Sequence, residues 1–392
     1  MQTKFPVMDL SSDEVIRDID QLCARDYRFE KGRILNSICS QPLPIAIEAF
    51  VKTIHTNLGD NRIFPGIRNI EEKVTQMLGD LLGAREACGN IVSGGTEANL
   101  LALLAAKERA SRRKKILYPE IIVPFSIHFS VEKIAKILGL KICFTKLNSD
   151  YRADIEDIKK NITENTIAIM ATAGTSELGS VDDTEAIAKI TKKHDLYFHI
   201  DAASGGFIIP FAKELGYNFP YFDFSVDGVD SITVDPHKFG LAVIPSGYIL
   251  FRSQEVQSLV CFESHYVGTK THTTFTGTRP GAAVASIYAV IKNLGRSGFC
   301  KIVKDYFEKR DLLICALEKR GFRLLCTPDL GTVAIQCENT LQVLEKLENQ
   351  GWIVSLSKRY NAIRIVVHHH LTRDHLLNFV ETFSSVAEHI AA

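Results

Sequence analysis

The sequence has no excess of charge of either sign. Its 392 residues carry 46 basic and 46 acidic side chains, a formal net charge of zero. Nucleic acids and anionic membrane surfaces attract proteins through a basic excess, so this balance points to neither partner. No run of about 18 or more apolar residues occurs, and no membrane span is expected. The opening MQTKFPVMDLSSDEV has no apolar core and no small-residue cleavage site, which predicts no signal peptide. There are nine cysteines, an odd count, and none forms a C-x-x-C pair. Scattered from Cys23 to Cys337, they read as reduced thiols of a cytoplasmic protein, and they lack zinc-ligand spacing. Internal repeats and low-complexity tracts are also missing. His368-His369-His370 lies inside the chain after a strand pattern and is not read as a tag.

The length predicts two or three domains. A helix is expected over 11–25, where Ser11 or Ser12 caps and Val15, Ile16, Ile19 and Leu22 recur at helical spacing. Gln41-Pro42-Leu43-Pro44 leads into a second helix to about 54, and 56–60 reads as a turn. Strands are then expected at 116–124, 141–145, 166–172, 197–200, 231–234 and 247–251. Helices are expected at 98–106, 130–138, 155–160 and 185–194. That alternation predicts an α/β fold with a mostly parallel central sheet covered on both faces. Ligands of such sheets sit at the carboxyl ends of the strands. A long helix is expected from about 283, past Gly298, to 317, and strands at 331–336 and 363–367 mark a smaller α+β part. The expected division is an N-terminal segment over 1–60, a large α/β domain over 61–285 and a small C-terminal domain over 286–392.

Four segments near strand ends carry chemistry. The first is Ser93-Gly94-Gly95-Thr96-Glu97-Ala98-Asn99, ahead of an apolar helix. Glycines let the backbone approach a ligand, and a helix start suits a phosphate. Taken alone, the same residues also describe a capped tight turn. His128 stands in Ser126-Ile127-His128-Phe129-Ser130, Asp201 follows an apolar strand, and Lys238 closes Asp235-Pro236-His237-Lys238. A lysine in a partly dry site beside another cation loses basicity and becomes a nucleophile toward aldehydes. Together the four supply what a pyridoxal 5′-phosphate site needs. These are a phosphate cradle, a flat imidazole for the ring, a carboxylate for the ring nitrogen and an amine for a Schiff base.

On these residues the sequence resembles the group II pyridoxal-phosphate-dependent amino-acid decarboxylases. His199-Ile200-Asp201-Ala202-Ala203-Ser204-Gly205-Gly206-Phe207 and His237-Lys238-Phe239-Gly240-Leu241-Ala242 are similar to bacterial glutamate decarboxylase. Thr56 to Asp60, Ile91 to Leu100, Asp230 to Lys238 and Arg364 to Val367 resemble the archaeal L-tyrosine/L-aspartate decarboxylases. The likeness runs over nearly the whole chain.

The resemblance implies an aspartate-aminotransferase-type fold (fold type I) and a homodimer with a shared active site. It implies decarboxylation of L-aspartate to β-alanine, of L-tyrosine to tyramine, or of both, in coenzyme A or methanofuran biosynthesis. By the same resemblance Lys238 forms the Schiff base, Asp201 meets the pyridine nitrogen, and His128 stacks on the ring with Ala203 opposite. Gly95 and Thr96 contact the phosphate, Ser176 the ring hydroxyl, and His237 joins the cofactor contacts. Arg364 would hold the substrate α-carboxylate as a bidentate fork, with Asn57 and Asp60 near the substrate side chain. Tyr266 would return a proton to Cα, and Thr278 would reach the phosphate of the neighbouring subunit. Asp235 is expected to turn away from the phosphate, toward His237. Glutamate remains a third substrate. A carbon–carbon lyase of the sphingosine-phosphate lyase type is the rival reading, suggested by Gly277-Thr278-Arg279-Pro280-Gly281.

Overall fold

The apolar runs become one seven-stranded sheet. It comprises β1 (Cys88–Val92), β2 (Glu120–Pro124), β3 (Lys141–Thr145), β4 (Thr166–Thr172), β5 (Tyr197–Asp201), β6 (Ser231–Val234) and β7 (Gly247–Phe251). The strand order is β1-β7-β6-β5-β4-β2-β3. The pairs among β2 to β6 are parallel, and β7 runs antiparallel to both of its neighbours. The computed structural model describes residues 5–60, 62–113, 116–265 and 271–391.

Every residue of β4 is buried, as a parallel strand covered on both faces requires. Alternate side chains enter opposite layers. Ile122, Ile169, Ala171, Phe198 and Ile200 join one apolar cluster. Ile121, Val123, Ala168, Met170 and Tyr197 join the other.

Helices α1 (Ser12–Cys23), α2 (Pro44–Lys52) and α3 (Pro65–Leu81) precede the sheet. The predicted cap on α1 is a full capping box between Ser11 and Glu14, yet no residue of that helix is buried. The second layer receives α4 (Gly95–Arg113) and α5 (Ser130–Leu138). The first receives α6 (Ile155–Asn161), α7 (Thr184–Lys193) and α8 (Ile209–Glu214). After α9 (Gln254–Ser258) come the short β8 (Phe262–Glu263) and β9 (Thr271–His272), paired antiparallel.

The long α10 (Gly281–Lys319) leads to an antiparallel sheet of order β10-β11-β13-β12. Its strands are β10 (Arg323–Leu324), β11 (Thr332–Gln336), β12 (Ser355–Ser357) and β13 (Ala362–Val366), flanked by α11 (Thr340–Asn349) and α12 (Arg373–Ala391). Among the described residues no helix is long and apolar enough to cross a membrane.

Two expectations change. The first parallel strand begins at Glu120 rather than 116. The helix expected to run unbroken past Gly298 is interrupted at Gly295, whose φ of 55° and ψ of −174° leave helical space. Only glycine tolerates that conformation without strain.

His368 is fully buried and stacks on Phe239, the residue after Lys238, with ring centroids 4.3 Å apart. Its Nδ1 lies 3.1 Å from Nδ1 of His369, and His370 is held by Ser40 and the Ile34 carbonyl. Burial pushes His369 and the fully buried His199 down to about 4, and pulls His368 and His370 down as well. These rings are neutral in the native chain and take up protons on unfolding below the ordinary histidine value of about 6.5. The unfolded state then binds more protons, so stability falls as pH drops from about 6.5 toward 4. Fully buried Asp182, raised by burial to about 6, works in the opposite sense: its contribution falls as pH rises from 3.8 through 6. Asp230, likewise raised by burial, adds to Asp182, and the four histidines outweigh these two carboxyls. The melting temperature is expected to be at least about 3 °C lower at pH 5 than at pH 7. Calorimetry at the two pH values checks this, and an equal or higher value at pH 5 refutes it.

Candidate active site

The carboxyl ends of the parallel strands open on a cavity of about 320 Å³. Ser93 to Thr96 enter it from the β1–α4 turn, Asp201 and Ala203 from the end of β5, and Asp235, His237 and Lys238 from the loop after β6. His128 and Ser176 line it as well. The four predicted segments thus converge on one space, because parallel strands bring their following loops to one edge.

The β1–α4 turn packs closely against β7 and the loop after β6. A Cβ on Gly247 of β7 would stand 2.4 Å from the Gly94 Cα, and one on Gly95 would stand 3.0 Å from Asp235 Oδ2. Gly95 and Thr96 start α4, where backbone N–H groups are left without intrahelical acceptors. Asp201, which also lines the cavity, is buried. Its Oδ1 accepts from the Ala203 N–H at 3.1 Å and its Oδ2 from Asn99 Nδ2 at 2.8 Å.

His128 Nδ1 accepts from the Ser130 N–H at 3.3 Å and lies 2.8 Å from Ser130 Oγ. That places the ring hydrogen on Nε2. Burial, ahead of the surrounding charges, pulls this imidazole below its ordinary value, so the ring is neutral at neutral pH. His237 is likewise lowered by burial first, and its Nδ1 accepts from the Ser246 N–H at 3.1 Å.

Lys238 departs from expectation. Burial does lower its basicity, but Asp235 and Asp201 together outweigh burial and the net shift is upward. The cause is an ion pair: Lys238 Nζ stands 3.1 Å from Asp235 Oδ2. Asp235 therefore does not simply turn away toward His237. Its Oδ2 lies 3.6 Å from His237 Nε2, but the side chain lines the cavity and is buried. Among the described residues Asp235 Oδ1 has no hydrogen-bond partner.

Arg364 comes from β13 and lies outside the cavity lining. Its Nε donates to the Ser176 carbonyl, and its Nη1 to the Asn36 carbonyl at 2.8 Å and Ser355 Oγ at 3.1 Å. Among the described residues Nη2 makes no hydrogen bond, so the edge of the fork that remains is Nη2 alone. Burial lowers its basicity to about 10, and it stays charged at neutral pH.

Asn57 and Asp60 also stand outside the lining. Asn57 Oδ1 accepts from the Gly59 N–H at 2.7 Å and the Arg279 N–H at 3.3 Å, closing a turn. Asp60 pairs with Arg62 at 2.9 Å. Thr278 is exposed and away from its own chain's cavity. Tyr266 lies outside the described residues.

Sequence reasoning gave no role to Asn99. A signal was available: Asn99 is four residues after Gly95, one turn further along the same helical face.

The cavity fits pyridoxal phosphate. Its volume falls within the usual range for small-ligand sites. Free N–H groups at the start of α4 suit a phosphate, Asp201 offers a carboxylate, a neutral imidazole forms a flat wall, and Lys238 supplies the amine.

The comparisons agree with that geometry. The pyridoxal-dependent decarboxylase conserved domain is matched over residues 4–337. An L-aspartate/L-glutamate decarboxylase of Pyrococcus horikoshii is 41% identical over 386 residues, 98% of this chain and 99% of the relative. A probable L-tyrosine/L-aspartate decarboxylase of Methanothermobacter thermautotrophicus is 43% identical over 350 residues, 89% and 95% of the two chains. The solved sphingosine-1-phosphate lyase of Burkholderia pseudomallei superposes with a TM-score of 0.92 at 24% identity, over 99% of this chain and 93% of that one. Glutamate decarboxylase of Lactobacillus brevis gives 0.88 at 22%, over 99% and 95%. At such identities the two structures establish the fold, that of the fold-type I pyridoxal-phosphate enzymes. The chain belongs to the pyridoxal-dependent decarboxylase family, a carboxy-lyase with pyridoxal 5′-phosphate as its cofactor.

Proposed function

We propose that this enzyme removes the α-carboxyl group of L-aspartate as CO2, giving β-alanine, and that it accepts L-tyrosine as a second substrate. The observation that carries the chemistry is the convergence of Lys238, Asp201, His128 and the start of α4 on one cavity. Aspartate is favoured because it is the substrate common to the names of the two archaeal relatives. When bound, pyridoxal phosphate supplies the electron sink for the breaking bond.

The chain supplies the rest. Lys238 would hold the cofactor through its amine. Asp201 would hold a proton at the ring nitrogen, and His128 and Ala203 would contact the ring. Gly95 and Thr96 would hold the phosphate, and Ser176 and His237 would complete the contacts. Arg364 would offer Nη2 to the substrate carboxylate. Tyr266 returns the proton to Cα, with Asn57 and Asp60 near the substrate side chain.

We further propose a cytosolic homodimer. Exposed Thr278 and Phe275, beside Pro280, would serve the cavity of a second copy. The three-part division at 60/61 and 285/286 belongs to the same reading.

The test is an end-product assay. Protein loaded with pyridoxal phosphate is given equal aspartate, tyrosine and glutamate, and CO2 and amines are quantified together. β-Alanine with matching CO2 is the expected result, with tyramine as the lesser product. Amine from glutamate alone would overturn the substrate assignment, and turnover without CO2 would favour the carbon–carbon lyase.

A further inference from the structure

Asp201 is the cavity end of a line of buried hydrogen bonds that the reaction as described does not use. Asn99 Nδ2 donates to Asp201 Oδ2 at 2.8 Å. Asn99 Oδ1 accepts from Thr233 Oγ1 at 2.7 Å and lies 2.9 Å from His199 Nε2. His199 Nδ1 lies 2.8 Å from Ser231 Oγ, which in turn accepts from the Tyr197 hydroxyl at 2.9 Å. Asn99, Thr233, His199, Ser231 and Tyr197 are all buried, none more than 1% exposed.

The chemistry of the groups fixes the direction of every proton. A carboxylate only accepts, so Asn99 must turn its NH2 toward Asp201 and its oxygen inward. The flipped amide would set oxygen against carboxylate. With an oxygen facing it, His199 Nε2 carries the ring hydrogen. Nδ1 is then bare and must accept, so the Ser231 hydroxyl donates to it. The Ser231 oxygen is left to accept from Tyr197. The Thr233 hydroxyl is committed to Asn99, and its oxygen, 3.1 Å from His199 Nε2, shares that N–H. All the donors therefore point one way, toward Asp201. Burial pushes His199 to about 4 and Tyr197 well above its ordinary value. Both stay in the neutral forms this direction requires.

We propose that Asn99, His199, Ser231 and Tyr197 are positioning residues, a one-way relay that locks the Asp201 carboxylate in the orientation that meets the cofactor's ring nitrogen. This rests on the reading of Asp201 as the partner of that nitrogen. Without the Asn99 donor, one carboxylate oxygen loses its hydrogen bond and the group can rotate about its last torsion. The bound ring then loses its aligned acceptor, although the charge remains. Ser231 acts two links further back. Its loss leaves His199 free to exchange tautomers, which weakens the same alignment less.

The test uses the full-length protein loaded with pyridoxal phosphate and three variants, Asn99→Leu, Ser231→Ala and Asp201→Asn. Readouts are the pH midpoint of the bound cofactor's visible band, kcat and KM, with the melting temperature of cofactor-free protein as control. Asn99→Leu is expected to move the midpoint by about one pH unit and lower kcat about tenfold, the size of one hydrogen bond to a charged group, with KM changed less than about twofold. Ser231→Ala should move both the same way by a smaller amount, and it remains readable if Asn99→Leu does not fold. A melting temperature that falls while midpoint and kcat stay at wild type in the relay variants, with Asp201→Asn shifted, would overturn the relay alone. An unshifted midpoint in Asp201→Asn would overturn the Asp201 assignment, and the relay with it.

Discussion

Lys238→Ala protein is expected to release no detectable CO2 from any amino acid. After gel filtration with pyridoxal phosphate it should also lack the visible band of lysine-bound cofactor. Alanine has no amine to attach the cofactor or to exchange with substrate. The structure adds a second consequence. Lys238 Nζ is the ion-pair partner of buried Asp235, whose other oxygen has no hydrogen bond among the described residues. Removing Nζ leaves that carboxylate with His237 at 3.6 Å as its neighbour. A buried acceptor stripped of its partner costs roughly 1–3 kcal/mol, more when charged. Cofactor-free Lys238→Ala should therefore melt below wild type. Adding Asp235→Asn should recover the melting temperature without recovering activity. Retained CO2 release and band in Lys238→Ala would refute the lysine assignment. A double variant no more stable than the single one would refute the pairing argument.

Much of the large sheet was legible because its buried strands are short apolar stretches. The predicted 141–145, 166–172, 231–234 and 247–251 coincide with β3, β4, β6 and β7. Each is a short run rich in β-branched or aromatic residues, and β4, β6 and β7 are buried throughout. β1 was not seen, because Gly89 and Asn90 interrupt its apolar character and its place at the edge is set by pairing with β7. The break at Gly295 was equally silent, since one glycine inside a helical pattern looks like an ordinary weak position.

At the site, side-chain chemistry combined with the rule for strand ends was enough to bring four distant segments together. Partner choice within the cavity was beyond that reasoning. Asp235 faces Lys238 through the turn after β6, and Arg364 reaches Ser176 from a different sheet. The first contact is local, three residues apart, but side-chain type left Asp235 with His237 as an equal candidate; spacing does not encode the second at all. Asn57 and Asp60 carry local contacts that residue type alone does not reveal. Each side chain also accepts a hydrogen bond that closes its own turn.

Asp201→Asn is expected to lower kcat by about 10²–10³, the usual scale for removing one preorganised electrostatic partner from a reacting group. The substitution is nearly isosteric, so the fold should survive, yet it alters two things at once. It removes the negative charge that would keep a proton on the ring nitrogen. It also replaces one accepting oxygen by an N–H in a place where both positions face donors, Ala203 N–H on one side and Asn99 Nδ2 on the other. One of those contacts becomes donor against donor. If Asn99 flips to relieve it, its NH2 turns toward the Thr233 hydroxyl and His199 Nε2, both of which now donate to its oxygen. The misfit is thus passed inward rather than absorbed. Steady-state kinetics on Asp201→Asn measures charge and alignment together, and Asn99→Leu measures alignment with the charge kept. A kcat for Asp201→Asn within about tenfold of wild type would mean that the ring nitrogen does not depend on this carboxylate. A loss of the expected size, larger than that in Asn99→Leu, would assign the difference to the charge.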